Sequence, residues 1–484
     1  PSFLRYTRKT MKSKIILWGL SGICFAVSAL HAHTAFLLIP GIFLYLYNIH
    51  HLSTMKEGFY LSWFAGTLKS AGALWWIWSL LPISWPIIPT TAGVIGILAF
   101  YWLSAAGVIG LGLTLTTRLF ITLKNKTAHA ILFLPILWVI GEVVGSFLFS
   151  IFTWGPGSIP NIAFSYGYIG YPLVSLKVFH NIAVIGGVYA LSATAILFGV
   201  LIFYVYTYKK YTNVLVFTLT VLLILNFLPH TGKPHPQEKI AIINTNYDLA
   251  IINTEKGVEE YKKATKEAVD EALRFEPSTI ILPEHSDFTS NFLSPEETLA
   301  YLTNESSTPV RLIDSRAYMK NNERKIVQAL VYDTRETSIQ SQEKRYLVAH
   351  GEYLPLFHAL FIHFFTPKEV NSYFFSYKNY MRGNSAKLST NILFCNESTN
   401  PLRTKLSGRS GPFFTHIISH SWFNTPTTLW HQQEQMLQTQ ALWSKTPIFV
   451  SANQAPHAIY YSDGIIKKGT LKTQNDLWEI YISE

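Results

Sequence analysis

The sequence predicts a multi-span α-helical membrane bundle followed by an α/β domain, and three observations lead to this fold class. Only 14% of the 484 residues are charged and 49% are hydrophobic, whereas an average soluble protein has roughly 25% charged residues. Residues 1–232 hold 13 Lys or Arg and two acids, but residues 233–484 hold 26 and 27. Long apolar stretches fill the first part, and strand and helix patterns alternate in the second. We therefore expect two domains, 1–232 and 233–484.

Seven segments of the first domain are candidates for membrane-spanning helices, since a span needs about 20 mostly apolar residues. They lie at about 14–31, 35–49, 58–81, 91–117, 129–152, 181–207 and 211–228. A soluble helical core is excluded, because 232 residues with Glu57 and Glu142 as their acids could not present a surface to water. The net charge of +10 comes from this domain, so it does not indicate a nucleic-acid partner.

The connecting segments predict the orientation of the bundle. Alternate segments, beginning with the N-terminus, carry 11 Lys or Arg, and the opposite segments carry only Lys177. Positive charges stay on the cytoplasmic side, so the N-terminus is predicted to be cytoplasmic and residues after 232 extracytoplasmic.

Two features inside the bundle carry further predictions. Lys69 and Glu142 lie near the middle of spans that run in the same direction, and intramembrane charges usually pair. We therefore expect the two side chains to be neighbours or to line one polar cavity. The segment 153–180, rich in Gly, Pro and Tyr, fits a simple loop better than a re-entrant element, since non-helical backbone at membrane depth must be buried in protein.

The second domain has the pattern of an α/β fold. IAIINTN at 240–246, a charged helical pattern at 255–273 and STIIL at 278–282 form a β-α-β unit. Further strand patterns and one helix pattern follow: strands at 325–332, 390–395, 416–420, 447–453 and 458–463, and a helix at 430–445. The 16 histidines show no metal-ligand spacing, so no metal or other cofactor is expected.

Three residues of this domain could carry chemistry. Glu284 follows a strand, where open α/β sheets place their sites; Lys344 lies in a charged stretch; Cys395 ends a strand. Each alone is more often structural: a solvated acid, a surface lysine or a small buried thiol. Cys395 is predicted to be extracytoplasmic, where thiols oxidise, yet its sole possible partner, Cys24, lies in the first span. An unpaired thiol there suggests a nucleophile.

Together these motifs resemble a known set. PEH at 283–285, KRYLVAHGEY at 344–353 and CNE at 395–397 look like the Glu, Lys and Cys motifs of the nitrilase superfamily. With seven preceding spans, LPILWVIGE at 134–142 and the WGPG segment at 154–157, the chain resembles the apolipoprotein N-acyltransferase family. The resemblance implies an α-β-β-α sandwich for residues 233–484.

Several residues depart from the family's pattern. Leu282 replaces Trp before Pro-Glu, Ala349 and His350 replace Pro-Phe, and Asn396 replaces Tyr after the nucleophile. Gly145 stands where an Arg usually follows the membrane Glu. The sequence also ends at Glu484 without a closing transmembrane helix, which would fit a relative such as the nitrilase-domain membrane proteins found with conjugal-transfer genes.

The resemblance implies an enzyme in which Cys395 is the nucleophile, Glu284 the general base and Lys344 the oxyanion partner. Glu352 and Glu397 match supporting carboxylates. The acyl donor would be a phospholipid and the acceptor the N-terminal amine of a lipoprotein. Two alternatives stay open: a nitrilase-type amidase or ester hydrolase, and a membrane protein of a transfer assembly without acyltransferase activity.

The charge asymmetry generates a topology prediction. Reporter proteins fused after residue 232 should be active only outside the cytoplasm, because 11 positive charges on one side oppose one on the other. Alkaline phosphatase fusions measure this, and paired green fluorescent protein fusions, which report the cytoplasmic side, should not fluoresce. Cytoplasmic activity would mean that the spans are miscounted, most simply at 35–49.

Overall fold

The computed structural model divides into two compact units. It describes residues 11–52, 54–82, 91–127, 130–208, 213, 216–217, 220–221, 224, 232–233, 236–248, 255–320, 324–365, 380–383, 391–408 and 411–483. The first unit comprises residues 1–152, 161–230 and 426–439, and the second comprises residues 153–160, 231–425 and 440–484. Most of the predicted seventh span, 211–228, lies outside the described residues, as do Arg5, Arg8, Lys9, Lys209 and Lys210.

The described part of the first unit contains long apolar helices joined by short 3₁₀ turns. The helices are α1 Met11–Ser28, α2 Leu38–His50, α3 Met55–Ala73, α4 Thr91–Lys124, α5 Leu134–Phe152 and α6 His180–Tyr208. Thr54 caps α3 by accepting a hydrogen bond from the Glu57 backbone N–H, and α6 is kinked where Gly186 and Gly187 leave helical geometry. Six of the seven predicted spans are therefore helical.

Four stretches within the described residues are long and apolar enough to cross a membrane. They are Met11–Ser28, Thr91–Lys124, Ala130–Phe152 and Lys177–Thr207. The predicted span at 35–49 corresponds to α2, whose 13 residues reach only about 20 Å at 1.5 Å per residue. The span predicted at 58–81 is α3 followed by a 3₁₀ helix at Trp75–Leu80. The predicted multi-span membrane architecture is confirmed, and the chain is a multi-pass membrane protein.

Small residues bring the central helices into close contact. A Cβ atom on Gly66 of α3 would lie 2.6 Å from the carbonyl oxygen of Gly110 on α4, and one on Gly112 would lie 2.1 Å from that of Gly141 on α5. Thr116 uses this proximity to donate a hydrogen bond to the Leu137 carbonyl at 3.1 Å. Close backbone approach through small residues is how membrane helices pack when no hydrophobic effect acts between them.

The predicted neighbours Lys69 and Glu142 meet inside the bundle. Lys69 Nζ lies 3.6 Å from Glu142 Oε1, and both side chains are buried. Glu142 Oε1 also accepts a hydrogen bond of 2.9 Å from the backbone N–H of Ile169. At Gly145 a Cβ would lie 2.6 Å from the Ile109 carbonyl oxygen, so no arginine fits there. Lys69 of α3 supplies the cation that this position of α5 cannot.

The segment after α5 contains no α-helix, and its central part is buried in protein. Residues 163–172 are all buried, and they lie within the first unit. Tyr168 and Tyr171 pair their hydroxyls with Ser146 at 2.9 Å and Ser165 at 2.6 Å. The sequence favoured a simple loop, and the structure has an irregular segment packed into the bundle, where side chains satisfy its polar groups.

The second unit is built on a 12-stranded sheet. Its strands are β1 Ile240–Thr245, β2 Thr279–Ile281, β3 Arg311–Lys320, β4 Arg324–Asp333, β5 Ser338–Glu343, β6 Asn391–Phe394, β7 Phe414–Ser419, β8 Ile448–Asn453, β9 Ile459–Tyr460, β10 Ile466–Lys467, β11 Thr470–Gln474 and β12 Trp478–Ile482. Its helices are α7 Glu255–Leu273, α8 Pro295–Glu305, α9 Leu356–Phe365, α10 Pro401–Ser407 and α11 Thr427–Ser444, of which α11 extends into the first unit.

The sheet consists of two halves that pack face to face. Strands β1, β2 and β3 are parallel neighbours, and so are β6, β7 and β8, while β1 and β8 touch only at Thr245 and Asn453. One buried cluster joins Ile242 and Val327 of the first half to Phe394 and Ile417 of the second. A second cluster packs α7 and α8 on the outer face of the first half. This arrangement is the predicted α-β-β-α sandwich.

Burial of the pair Lys69 and Glu142 predicts a specific pattern of stability. Lys69→Met should destabilise the protein by about 3–5 kcal/mol, because it leaves a buried carboxylate without its cation. The double variant Lys69→Met/Glu142→Leu should be less destabilised than the single one, since no buried charge then remains. Thermal unfolding in detergent measures both, with Lys256→Met of an exposed ion pair as the control. A double variant less stable than the single one would contradict this interpretation.

Candidate active site

Three segments that follow strands carry the residues singled out by the sequence. Glu284 lies three residues after the end of β2, Lys344 directly follows β5, and Cys395 directly follows β6. Cys395 begins the 3₁₀ helix Cys395–Thr399. The strand ends therefore place a carboxylate, an ammonium and a thiol in loops at the edge of the sandwich, where α/β sheets hold their sites.

Lys344 joins two of the predicted site carboxylates. Its Nζ donates a hydrogen bond of 2.9 Å to Glu284 Oε1 and one of 2.7 Å to Glu352 Oε1. The side chain is only 1% exposed. Burial by itself lowers the pKa of Lys344, but the carboxylates of Glu284 and Glu352 raise it well above its usual value. The ammonium is therefore charged at any physiological pH.

Cys395 belongs to the same electrostatic cluster. Burial and the Glu284 carboxylate raise the pKa of its thiol, Lys344 lowers it, and Glu352 raises it further. The backbone N–H of Ser419, at the end of the neighbouring strand β7, also favours the thiolate. Because the raising effects are larger, the resting group is a neutral thiol, which needs a base before it can attack a substrate.

Glu397 holds the segment with the thiol against the segment with the lysine. The side chain is fully buried. Its Oε1 accepts a hydrogen bond of 2.7 Å from the backbone N–H of Arg345, and its Oε2 accepts one of 3.1 Å from that of Phe394. Arg403 forms an ion pair with the same carboxylate. Glu397 thus positions the residues that flank both Lys344 and Cys395.

Glu352 is held by its own loop. Its Oε2 accepts a hydrogen bond of 2.7 Å from the backbone N–H of Val348, while its backbone N–H donates one of 2.8 Å to the Val348 carbonyl. The WGPG segment borders this loop: Tyr353 donates its hydroxyl proton to the Thr153 carbonyl, and Leu356 donates its N–H to that of Trp154, both at 2.7 Å. These bonds fix the carboxylate that faces Lys344.

Asp314 orders the turn after Glu284, and the sequence analysis missed it. This fully buried carboxylate on β3 accepts bonds from the Ser286 and Thr289 hydroxyls and the Phe288 and Thr289 backbone N–H groups, all at 2.7–3.0 Å. The turn includes left-handed backbone at His285 and Asp287, which costs energy for residues other than glycine. The signal was an acid inside the apolar run RLIDS, since buried acids need partners.

The departures from the family's pattern lie close to this network. Asn396 donates a hydrogen bond of 3.2 Å from Nδ2 to the Leu347 carbonyl, and His350 has a left-handed backbone with φ of 63°. Leu282 is fully buried in the core beneath α7 and α8. Asn396 and Leu282 are therefore accommodated by ordinary hydrogen bonding and packing, whereas His350 adopts a backbone conformation that costs energy for residues other than glycine.

One cluster near the site has the composition of a metal centre. Glu284, His285 and Glu352 each offer a ligand atom within 4.8 Å of the others. Lys344 donates hydrogen bonds to both carboxylates, so an ammonium stands between the oxygens that a metal ion would need. The donor set does not fit a resident cation.

The membrane half matches a known family. Residues 21–201 match the sequence model described as the apolipoprotein N-acyltransferase N-terminal domain. No curated protein matches the chain. The resemblance expected from the sequence is confirmed over this part of the chain, and it agrees with the apolar helices found there.

The α/β half has neighbours among solved structures. An amidase from Nesterenkonia sp. is 12% identical, with a TM-score of 0.34 over 52% of this chain and 92% of that one. A variant of the Nesterenkonia AN1 amidase, described as from the nitrilase superfamily, is 11% identical, with a TM-score of 0.32 over 53% and 92%. A carbon-nitrogen hydrolase from Helicobacter pylori G27 is 10% identical, with a TM-score of 0.36 over 50% and 88%.

These findings define a class of protein. The chain is a multi-pass membrane protein in which a segment that matches the apolipoprotein N-acyltransferase N-terminal domain precedes an α/β domain.

The charges around the thiol predict that Glu284→Gln lowers the pKa of Cys395 and yet reduces turnover. In a Cys24→Ala background, Glu284→Gln should move the pH midpoint of Cys395 alkylation to lower pH, because the Glu284 carboxylate raises the thiol pKa. The same variant should lose turnover, since a general base contributes roughly 10²–10⁴-fold. Iodoacetamide labelling across pH, read by mass spectrometry, measures the midpoint.

Glu343→Gln is the matched control, because Glu343 lies next to Lys344 in sequence but bonds to Tyr318. Its alkylation midpoint should equal that of the parent. An unchanged or higher midpoint for Glu284→Gln would show that Glu284 does not face the thiol in the working protein.

Proposed function

We propose that the protein is an N-acyltransferase that moves a fatty acyl chain from a phospholipid, through a thioester on Cys395, to the N-terminal amine of a lipoprotein. The observation that carries this proposal is the cluster of Lys344, Glu284 and Glu352 coupled electrostatically to the Cys395 thiol. The family match over residues 21–201 supports lipid substrates.

The first half-reaction forms the thioester. Cys395 Sγ attacks the ester carbonyl carbon of the phospholipid while Glu284 takes the thiol proton. The negative charge that develops on the carbonyl oxygen is stabilised by the Lys344 ammonium. When the tetrahedral intermediate collapses, the C–O bond breaks and Glu284 returns the proton to the departing alkoxide, so that a lysophospholipid leaves.

The second half-reaction forms the amide. The neutral amine of the lipoprotein attacks the thioester carbonyl, and Glu284 removes a proton from the nitrogen. Lys344 again stabilises the oxyanion. Cleavage of the C–S bond releases the acylated lipoprotein, and the sulfur recovers its proton from Glu284. If water replaces the amine as acceptor, the same residues give an ester hydrolase, and with an amide in place of the ester donor they give an amidase. The acceptor therefore distinguishes transfer from hydrolysis.

The membrane setting follows from the substrates. We infer that the protein lies in a bacterial inner membrane with its N-terminus in the cytoplasm and residues 233–484 outside, as the loop charges favour. Diacylated lipoproteins and phospholipids are both held in the bilayer, so a membrane-anchored acyltransferase meets donor and acceptor in two dimensions.

Acyl-enzyme trapping tests the proposal. Purified protein incubated with phospholipid should gain the mass of one acyl chain on Cys395, and Cys395→Ala should gain none. Cys24→Ala should behave as the parent, because Cys24 lies in α1. Lys344→Ala should form the thioester on the order of 10²–10³ more slowly, as expected for the loss of one oxyanion donor.

A diacylated lipopeptide then separates the alternatives. When the phospholipid carries a labelled acyl chain, transfer of that chain to the amine of the lipopeptide supports the acyltransferase. Release of free fatty acid at the same rate with and without lipopeptide would replace this proposal by an ester hydrolase. Full activity of Cys395→Ala would overturn the mechanism.

A further inference from the structure

A cavity lies in the first unit, which does not contain Cys395. It is formed where α3 begins and α4 approaches its end, and it encloses about 370 Å³. Residues from both helices line it: Met55, Lys56, Gly58, Phe59, Thr117, Arg118 and Ile121. The volume lies within the range of about 300–1,000 Å³ that is usual for ligand sites.

Close packing at Gly58 and exposed apolar side chains form the walls of the cavity. A Cβ atom on Gly58 would lie 3.1 Å from Ile121 Cδ1 and 3.2 Å from Leu52 Cδ1. Met55 and Phe59 are each 43% exposed at its edge. Its walls are therefore mostly apolar and open to the surroundings of the bundle, which suits hydrocarbon and does not suit a small hydrophilic ion.

The charges at the cavity are positive. Lys56 and Arg118 line it, and among the described residues neither forms an ion pair with a carboxylate. The adjacent acid, Glu57, is paired with Lys14 at 2.6 Å. Lys124 extends the positive charge at this end of α4 and donates a hydrogen bond to the His50 carbonyl. The cavity thus combines two uncompensated cations with apolar walls.

We propose that this cavity binds an anionic phospholipid, with the phosphate between Lys56 and Arg118 and an acyl chain along Met55, Phe59 and Ile121. Basic pockets between membrane helices recognise anionic lipid head groups in this way. Lys56 and Arg118 can both donate hydrogen bonds to the oxygens of a phosphate diester, and a ligand that also carries an acyl chain covers the exposed apolar walls. The site does not depend on the reaction at Cys395.

Lipid binding to the full-length protein in detergent tests the site. Native mass spectrometry should show one retained phosphatidylglycerol and no comparable retention of phosphatidylcholine or glycerol phosphate. The double variant Lys56→Gln/Arg118→Gln should weaken phosphatidylglycerol binding roughly 30-fold, if each cation near the surface contributes as is usual for anionic lipids. Circular dichroism confirms that the variant is folded.

Two further variants separate the site from general attraction to a basic surface. Lys12→Gln/Lys126→Gln removes the same charge from residues outside the cavity and should leave binding unchanged. Met55→Gln/Phe59→Gln keeps both cations but makes the exposed apolar wall polar, and it should weaken lipid binding. Equal losses in the two charge variants, unchanged binding in Met55→Gln/Phe59→Gln, or equal binding of glycerol phosphate would overturn the proposal.

Discussion

A buried ammonium shared by two carboxylates organises the α/β unit. Lys344 is 1% exposed, and an ion removed from water costs several kcal/mol unless its partners are well placed. Glu284 and Glu352 meet this requirement from two different loops. Each loop must therefore adopt one geometry, and Asp314, Glu397 and the WGPG segment supply the hydrogen bonds that hold it. The site is rigid because burying the lysine leaves no acceptable alternative.

The membrane unit also buries a charged side chain, and there the partner comes from another helix. Glu142 lies where α5 is too close to α4 for a side chain at Gly145, so the cation comes from Lys69 on α3. The carboxylate also binds the Ile169 backbone N–H, which ties the irregular segment to the helices. In the sequence, Gly145 suggests that the membrane unit lacks a positive charge near Glu142. In the structure, Lys69 on α3 provides that charge.

Prediction from sequence succeeded where a single residue, or a regular spacing of apolar residues, is enough to indicate the structure. The helix at 255–273 and the strands around Ile242, Ile280 and Val450 follow from apolar periodicity, and the depth of Lys69 and Glu142 followed from counting residues along spans. Strand β3 was missed because Arg311, Asp314 and Arg316 interrupt its apolar pattern, and their partners come from distant parts of the chain. The length of α2 could not be read from the sequence, because the apolar stretch at 35–49 is divided between a 3₁₀ helix and a helix of 13 residues.

The balance of charge in the candidate site bears on the order of events in the proposed reaction. Two carboxylates and one ammonium leave an excess negative charge beside Cys395, and burial raises the thiol pKa further. A thiolate formed in advance would add a second negative charge to a poorly hydrated site. The proton must therefore leave the sulfur as the new bond forms, when the charge moves to the substrate oxygen near Lys344. This geometry favours a substrate already bound in position, which protects the resting thiol from adventitious electrophiles and oxidants.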